Sequence, residues 1–364
     1  MTLRNHIPIA SPARREPADG TESPLRISLG FEPSWFRERS DCDFSARWHR
    51  DPVYRFETRW LLRAELERRF PETDYWRRLT DADLASLSGC YGIGVIPAVF
   101  GVPIRYHPDR WPELDPGRRL RNADIERLDV DRLLQAPFVE ELFAQMDGIQ
   151  AEFGAVHGYL NWQGVLNNAF HLRGERILLD LAEAPELAER LLDVIAEVMI
   201  RLGQRVQARQ RASGFAIDQM DVSNCVVNMI SPRMYARFVA PRDRRIAESF
   251  ARFGVHTCNW NVTPYLEPLR ALPKVGYLDM GMDSDLRRAR ELFPRARRAV
   301  LYDPRRVIEA APEEIRADLA RIAAELAPCD VVLADLPADT RDPHVRRFLT
   351  LAAEAEAALV AAGV

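Results

Sequence analysis

A histidine and a cysteine stand two positions apart in "GVHTCN", residues 254–259, after an apolar run. Residues i and i+2 of a strand face the same side, so His256 and Cys258 aim an imidazole and a thiol into one space. Zinc accepts both donors, and a catalytic zinc site takes three protein ligands and keeps a fourth position open. Such an ion keeps a substrate thiol deprotonated at neutral pH while leaving it nucleophilic. The competing reading is a core histidine beside a buried thiol, and a third ligand separates the two. Cys225 follows a strand end. Cys329 stands just before the last strand, at what would be the inert face. Asp335, at the far end of that strand, is the better-placed donor.

The elements that position these residues alternate. "FAIDQMDVS", "GVHTCN", "VGYLDMG", "RAVLYD" and "DVVLAD" read as strands, each followed by a helical pattern. Ser231 with Pro232 behind it marks one helix start, as Asp51 with Pro52 does in "DPVYRFETRWLLRAELERRFP". Strands alternating with helices imply parallel βαβ units. An uninterrupted series of them predicts a (β/α)8 TIM barrel, preceded by an N-terminal helical extension. The open doubly wound alternative lacks its fingerprint: "GCYGIG" has the wrong glycine spacing and no helix pattern directly behind it.

A barrel places its chemistry at the C-terminal ends of its strands. Those ends offer His157 and Tyr159; Asp218, Asp221 and Ser223; His256 and Cys258; Asp279 and Asp283; Tyr302 and Asp303; and Asp335. Surface loops are polar too, so the list is longer than the site.

The 364 residues are 47% hydrophobic, enough for a substantial core, and the net charge of −4 argues against a nucleic-acid or membrane surface. Lys274 is the one lysine, and its loop-like setting argues against Schiff-base or P-loop chemistry. The five cysteines are few and scattered, which is no disulfide framework. Residues 1–25 carry no sustained apolar segment and read as a flexible arm ahead of a single domain, 26–364. No run is long enough to span a bilayer. The expectation is a cytoplasmic enzyme.

"DVSNCVVNMISPRMYARFVAPRDRRIAESFARFGVHTCNWN" resembles the central signature of the uroporphyrinogen decarboxylase superfamily: an aspartate-bearing strand, "SP" opening a helix, and a strand closing in H-x-C. "YDPRRVIEAAPEEIRADL" and "GYLNWQGVLNNAFHLRGERILLDLAEAPELAERLLD" are similar to its later and earlier segments. Together they cover most of residues 150–350 in order. The resemblance implies a (β/α)8 barrel with a cleft at its C-terminal face. It also implies one of two chemistries. One branch decarboxylates porphyrinogens without metal, using an arginine-rich N-terminal loop. The other uses zinc held by H-x-C and a later cysteine to move methyl groups between a corrinoid protein, thiols and methylated substrates.

His256 and Cys258 match the methyltransferase pair. The family's third cysteine falls near residues 334–336, where this chain has "LADLPADT", so Asp335 is the expected substitute, and Asn259 stands where glycine is usual. The decarboxylase loop is poorly matched. "PSWFRERSDCDFSARWHRDP" offers Arg37, Arg39 and Arg47 as carboxylate clamps, or else Trp35, Trp48 and Trp60 pack a helical cap and leave the arginines solvated.

The leading expectation is a metal-dependent methyltransferase, with zinc or another divalent ion on His256, Cys258 and Asp335. Asp221 and Tyr159 would be catalytic; Asn161, Ser223, Asn224, Arg37 and Asp279 would bind a small-molecule substrate. The chain lacks a D-x-H-x-x-G segment of the kind that holds a corrinoid, so a corrinoid would come on a separate partner protein; a homodimer is one assembly it could form. The alternatives are a divergent metal-free decarboxylase or lyase on a small carboxylated substrate, and a binding barrel without turnover.

Overall fold

Six parallel strands carry the fold, in a computed structural model that describes residues 24–71, 73, 79–217 and 219–361. In chain order the strands are β1 (Leu25–Phe31), β2 (Ile104–Arg105), β3 (Glu113–Leu114), β4 (Gln219–Ser223), β5 (Arg252–His256), β6 (Val275–Gly281), β7 (Arg297–Leu301) and β8 (Cys329–Leu336). β2 and β3 form a small antiparallel pair of their own. The main sheet runs β1-β8-β7-β6-β5-β4. The first strand therefore pairs with the last and the others follow in sequence, with none of the order reversal that marks a doubly wound sheet.

Beyond β4 the wall continues without regular strands. Ser223 N donates to Trp162 O (2.9 Å), Gly164 N donates to Ser223 O (2.8 Å), and Leu87 N donates to His157 O (2.9 Å). The result is an α/β fold whose parallel sheet and surrounding helices form a barrel-like core. No helix among the described residues is long and apolar enough to cross a membrane.

The period of two sorts the strand residues. Ile27, Leu29, Val331 and Leu333 are 2% exposed or less and pack into the large core shared with the helices, each contributing about 1.5–3 kcal/mol by burial. Their alternates face inward, where Tyr277, Ala299, Leu301 and Val332 form a separate small cluster touched by Cys258 and Ala334. The same inner rows hold charge: Asp330 on β8 is bonded by Arg26 of β1 and by Arg297 of β7 (Nε–Oδ2 2.6 Å), all three buried. A carboxylate shared by guanidiniums can remain in a dry interior because each charge has a partner.

The expected helices after the strands are present: Ala240–Ser249, Leu266–Arg270, Leu286–Leu292, Pro312–Leu326 and Asp342–Ala361. Ser231 caps its helix by accepting from Met234 N (3.2 Å), and Asp51 caps Pro52–Arg69 by accepting from Tyr54 N (3.0 Å). Within the first of these, residues Tyr235–Val239 widen into a π-turn just ahead of Pro241, whose ring nitrogen cannot donate the next helical bond.

The N-terminus holds more than the sequence suggested. Of the expected arm, residues 1–23 lie outside the described residues, but Leu25 opens β1, a strand the composition did not reveal because Arg26 interrupts its apolar run. The helical extension is present as Pro33–Arg37, Ala46–Arg50 and Pro52–Arg69. Trp35 and Trp48 are wholly buried in it, whereas Trp60 is 52% exposed and packs no cap. Buried Arg55 and Arg59 tie this extension to the wall. Their guanidiniums donate to Ser86 O (3.0 Å) and Ser86 Oγ (2.7 Å) among other groups of residues 83–88.

Candidate metal centre

His256 is the last residue of β5, and its side chain is 5% exposed. Register places Ser223 beside it on β4. Its Nδ1 lies 2.6 Å from Asp279 Oδ2 on β6, which commits that nitrogen and leaves Nε2 as the one that could coordinate an ion. Asp279 has no exposed surface. Its carboxylate also accepts from Thr257 N (2.7 Å) and Tyr277 Oη (2.9 Å). Three donors on one carboxylate fix both its plane and the plane of the imidazole it holds. Burial alone would lower the pKa of His256, but the Asp279 carboxylate and Cys258 outweigh it, and the imidazole is held up at about 9.

Two residues on, Cys258 adopts φ +62, a left-handed conformation that is uncommon for a residue with a side chain. The strand has already ended, so the residue is free to turn, and the turn passes tightly over β6: a β-carbon at Gly281 would collide with Asn259 O. The Cys258 thiol lies 3.3 Å from Cys225 Sγ, which comes from the 3₁₀ turn Cys225–Met229 after β4. The bond from Cys225, followed by burial, raises the Cys258 pKa well above the ordinary thiol value. Among the described residues, Cys225, His256 and Cys258 form the group that could hold a metal ion, with donor atoms within 4.8 Å of one another. Two thiols and an imidazole are donors suited to zinc, and the imidazole arrives already oriented. The residues fit the ion.

The structure places the other expected residues unevenly. Asp335 is not in this group: it has φ +57 near the end of β8, and its Oδ1 accepts from Trp111 Nε1 (3.2 Å). Asp221 lies on the inner row of β4, 5% exposed, and its carboxylate accepts from Gln219 Nε2 (2.8 Å). Gly254 makes room for it across β5, since a β-carbon there would collide with Asp221 Oδ1. Ser223 and Asn161 are brought together, hydroxyl to amide oxygen, at 3.3 Å. Tyr159 is half-buried on the neighbouring segment, its backbone N–H donating to Ser88 Oγ (2.9 Å).

Three residues expected at a substrate have other partners. Asp279 is sealed behind His256. Asn224 is 1% exposed and its side-chain amide donates to Asp243 Oδ2 (2.9 Å), on the helix outside the strand. Arg37 is exposed, with its guanidinium on the carbonyls of Asp41 (3.2 Å) and Cys42 (3.3 Å). Arg39 likewise binds Trp35 O (3.0 Å) and Ala338 O (3.1 Å).

Of the remaining strand-end residues, His157 pairs with Asp83 (2.9 Å) and stacks on Phe215. Tyr302 donates to Asp318 (2.8 Å), Asp303 caps a helix and Asp283 is exposed. Asp218 lies outside the described residues. Asp243 has no distinguishing pattern in sequence: it sits in the charge-rich "APRDRRIAES" and reads as a solvated face.

The profile of uroporphyrinogen decarboxylase (URO-D) matches residues 77–345. Among solved structures, the chain is similar to a methyltransferase from Methanosarcina mazei, at 16% identity over 93% of this chain and 95% of that one, with a TM-score of 0.65. A B12-independent methionine synthase from Shewanella sp. W3-18-1 aligns at 12% identity over 85% of this chain and 89% of that one, with a TM-score of 0.42. No curated protein sequence matches the chain.

Proposed function

From the premise that this chain belongs to the uroporphyrinogen decarboxylase family, we propose that it is a metal-dependent methyltransferase, moving a methyl group between a small-molecule substrate and a thiol or corrinoid acceptor. The observation that carries this reading is the Cys225–His256–Cys258 group with Asp279 behind it. The fold shared with the Methanosarcina mazei methyltransferase is consistent with it. We take the barrel to be a closed (β/α)8 barrel, in a single domain from residue 26 onward, with its cleft at the strand ends that carry this group.

Cys225, His256 and Cys258 would hold one divalent ion, zinc by the softness of the donors. Asp279 keeps His256 Nδ1 occupied and Nε2 directed at the ion, and so acts through the ligand. When bound, the ion supplies Lewis acidity that keeps a substrate thiol in its thiolate form at neutral pH. Ser223 and Asn161, already hydrogen-bonded to each other, would orient the substrate's polar groups, while Asp221 would hold or move a proton and Tyr159 would line the approach. A corrinoid would be brought by a separate protein. The lyase alternative is less well supported, since Arg37 and Arg39 are bonded to backbone carbonyls and Arg47 lies exposed beside Asp51 (3.3 Å).

Metal stoichiometry, measured on protein purified without an affinity metal, tests the reading. One tightly held ion per chain is expected, lost in Cys258→Ser, together with metal-dependent demethylation of methylcobalamin by a small thiol. No metal after anaerobic zinc loading would overturn it.

A further inference from the structure

A 3₁₀ turn is a poor support for a metal ligand, because its hydrogen bonds are few and weakly aligned. Cys225 opens such a turn, whereas His256 ends a strand. The segment around Cys225 is nevertheless held by three hydrogen bonds. Asn224 N donates to His256 O (2.7 Å), Val226 N donates to Asn167 Oδ1 (2.9 Å), and Asn224 Nδ2 donates to Asp243 Oδ2 (2.9 Å). The first bond ties the two ligand-bearing segments to each other. The third anchors them to the helix Ala240–Ser249, where Asp243 has no exposed surface and also accepts from Tyr235 Oη (3.0 Å). Gly164 closes the back of Asn224: a β-carbon there would strike the side-chain amide.

We infer that Asp243 is a positioning residue for the metal centre, acting through Asn224 to hold Cys225 at bonding distance from the ion that His256 and Cys258 share. The inference rests on the metal reading above and extends it to a residue that touches none of the three ligands. A buried carboxyl is costly to keep, and burial pushes this one up to about 7. Its two partners, Asn224 and Tyr235, each leave it an acceptor. That is the role an amide in the same place could also fill, and a methyl group could not.

The experiment is a set of zinc and cobalt(II) affinities from chelator competition, with the thiolate-to-cobalt absorption band as a second readout. Asp243→Ala should bind about 10–100-fold more weakly, the usual effect of losing an outer-sphere partner, and show a diminished band. Asp243→Asn, whose amide oxygen still accepts from Asn224, should stay within about threefold of wild type. In a Cys225→Ala background the further change to Asp243→Ala should cost little, because interacting residues are non-additive. Unchanged affinity and band in Asp243→Ala, or an equal loss with and without Cys225, would overturn the inference while leaving the metal reading intact. Failure of the wild-type protein to bind either ion would overturn both. If Asp243→Ala does not fold, Asn224→Ala serves in its place with the same expected results.

Discussion

Asp279 Oδ2 and His256 Nδ1 lie 2.6 Å apart, on adjacent strands, with almost no solvent contact on either side chain. The pairing decides which imidazole nitrogen is available, and so converts a buried histidine into a directed donor. Without a carboxylate at that point, the ring could rotate or take the other tautomer.

Removing the carboxylate should therefore weaken metal binding without removing a ligand. For Asp279→Ala the expected loss is about 10–100-fold in affinity, read by competition with a chromophoric chelator. Asp279→Asn should lose nearly as much, because the amide can present an N–H to Nδ1 and favour the wrong tautomer. Wild-type affinity in both variants would show that the bond is structural only.

The third ligand can be decided by a paired comparison. Cys225→Ser should lose most of its metal and part of the thiolate-to-cobalt band, since a neutral hydroxyl replaces a thiolate. Asp335→Asn should bind within about threefold of wild type, because Asp335 engages Trp111 and is not among the clustered donors. The reverse pattern would restore Asp335 as the ligand that spacing had favoured.

Metal affinity should rise with pH through the neutral range. His256 is held up at about 9 and Cys258 is raised above the ordinary thiol value, so both carry protons at pH 7 in the metal-free protein. Coordination requires the neutral imidazole and the thiolate, and each must therefore release a proton. As pH falls, protons compete more effectively and binding weakens; as pH rises the competition eases, ending for His256 only above about 9 and for Cys258 higher still. Calorimetric titrations in two buffers of different ionisation enthalpy should give about three protons released per ion, one from His256 and one from each thiol, Cys258 and the Cys225 that donates to it. A value near zero at pH 7 would contradict the protonation states derived from the Asp279 pairing and the Cys225 contact.

The strand–helix rhythm from β4 to β8 was legible because each strand is a short apolar run followed by a capped helix. β1 was not, since Arg26 is buried against Asp330 and looks in sequence like a charge at the edge of a polar arm. His256 and Cys258 stood together in the sequence by spacing and strand-end position, although β5 ends at His256 and Cys258 turns to φ +62, so it is that turn and not period two that sets the thiol beside the imidazole. Cys225 stood in view as a residue after a strand end, yet nothing in the sequence shows how a 3₁₀ turn folds its thiol back toward Cys258. Asp279 was visible as a strand-end carboxylate but was given to the substrate, because register between β5 and β6 cannot be read from either strand separately. Asp243 was beyond reach: one buried aspartate among arginines has no distinguishing pattern.

The 3.3 Å approach of Cys225 Sγ to Cys258 Sγ carries one more consequence, for the protein without its metal. A disulfide needs its sulfurs at about 2.05 Å, and both cysteines are partly exposed while the other three are buried. Hydrogen peroxide could therefore take two protons and two electrons from this pair, giving one S–S bond and two waters. A thiolate already bound to zinc is a poorer target, because its lone pair is engaged by the ion. Metal-free protein treated with peroxide should lose two titratable thiols, yield a peptide linking residues 225 and 258 under non-reducing digestion, and recover metal binding after dithiothreitol. Zinc-loaded protein should react more slowly. Equal rates with and without zinc would mean that the ion does not sit on these sulfurs, and a disulfide involving Cys42, Cys90 or Cys329 would mean that the arrangement of the five thiols in solution differs from the one described.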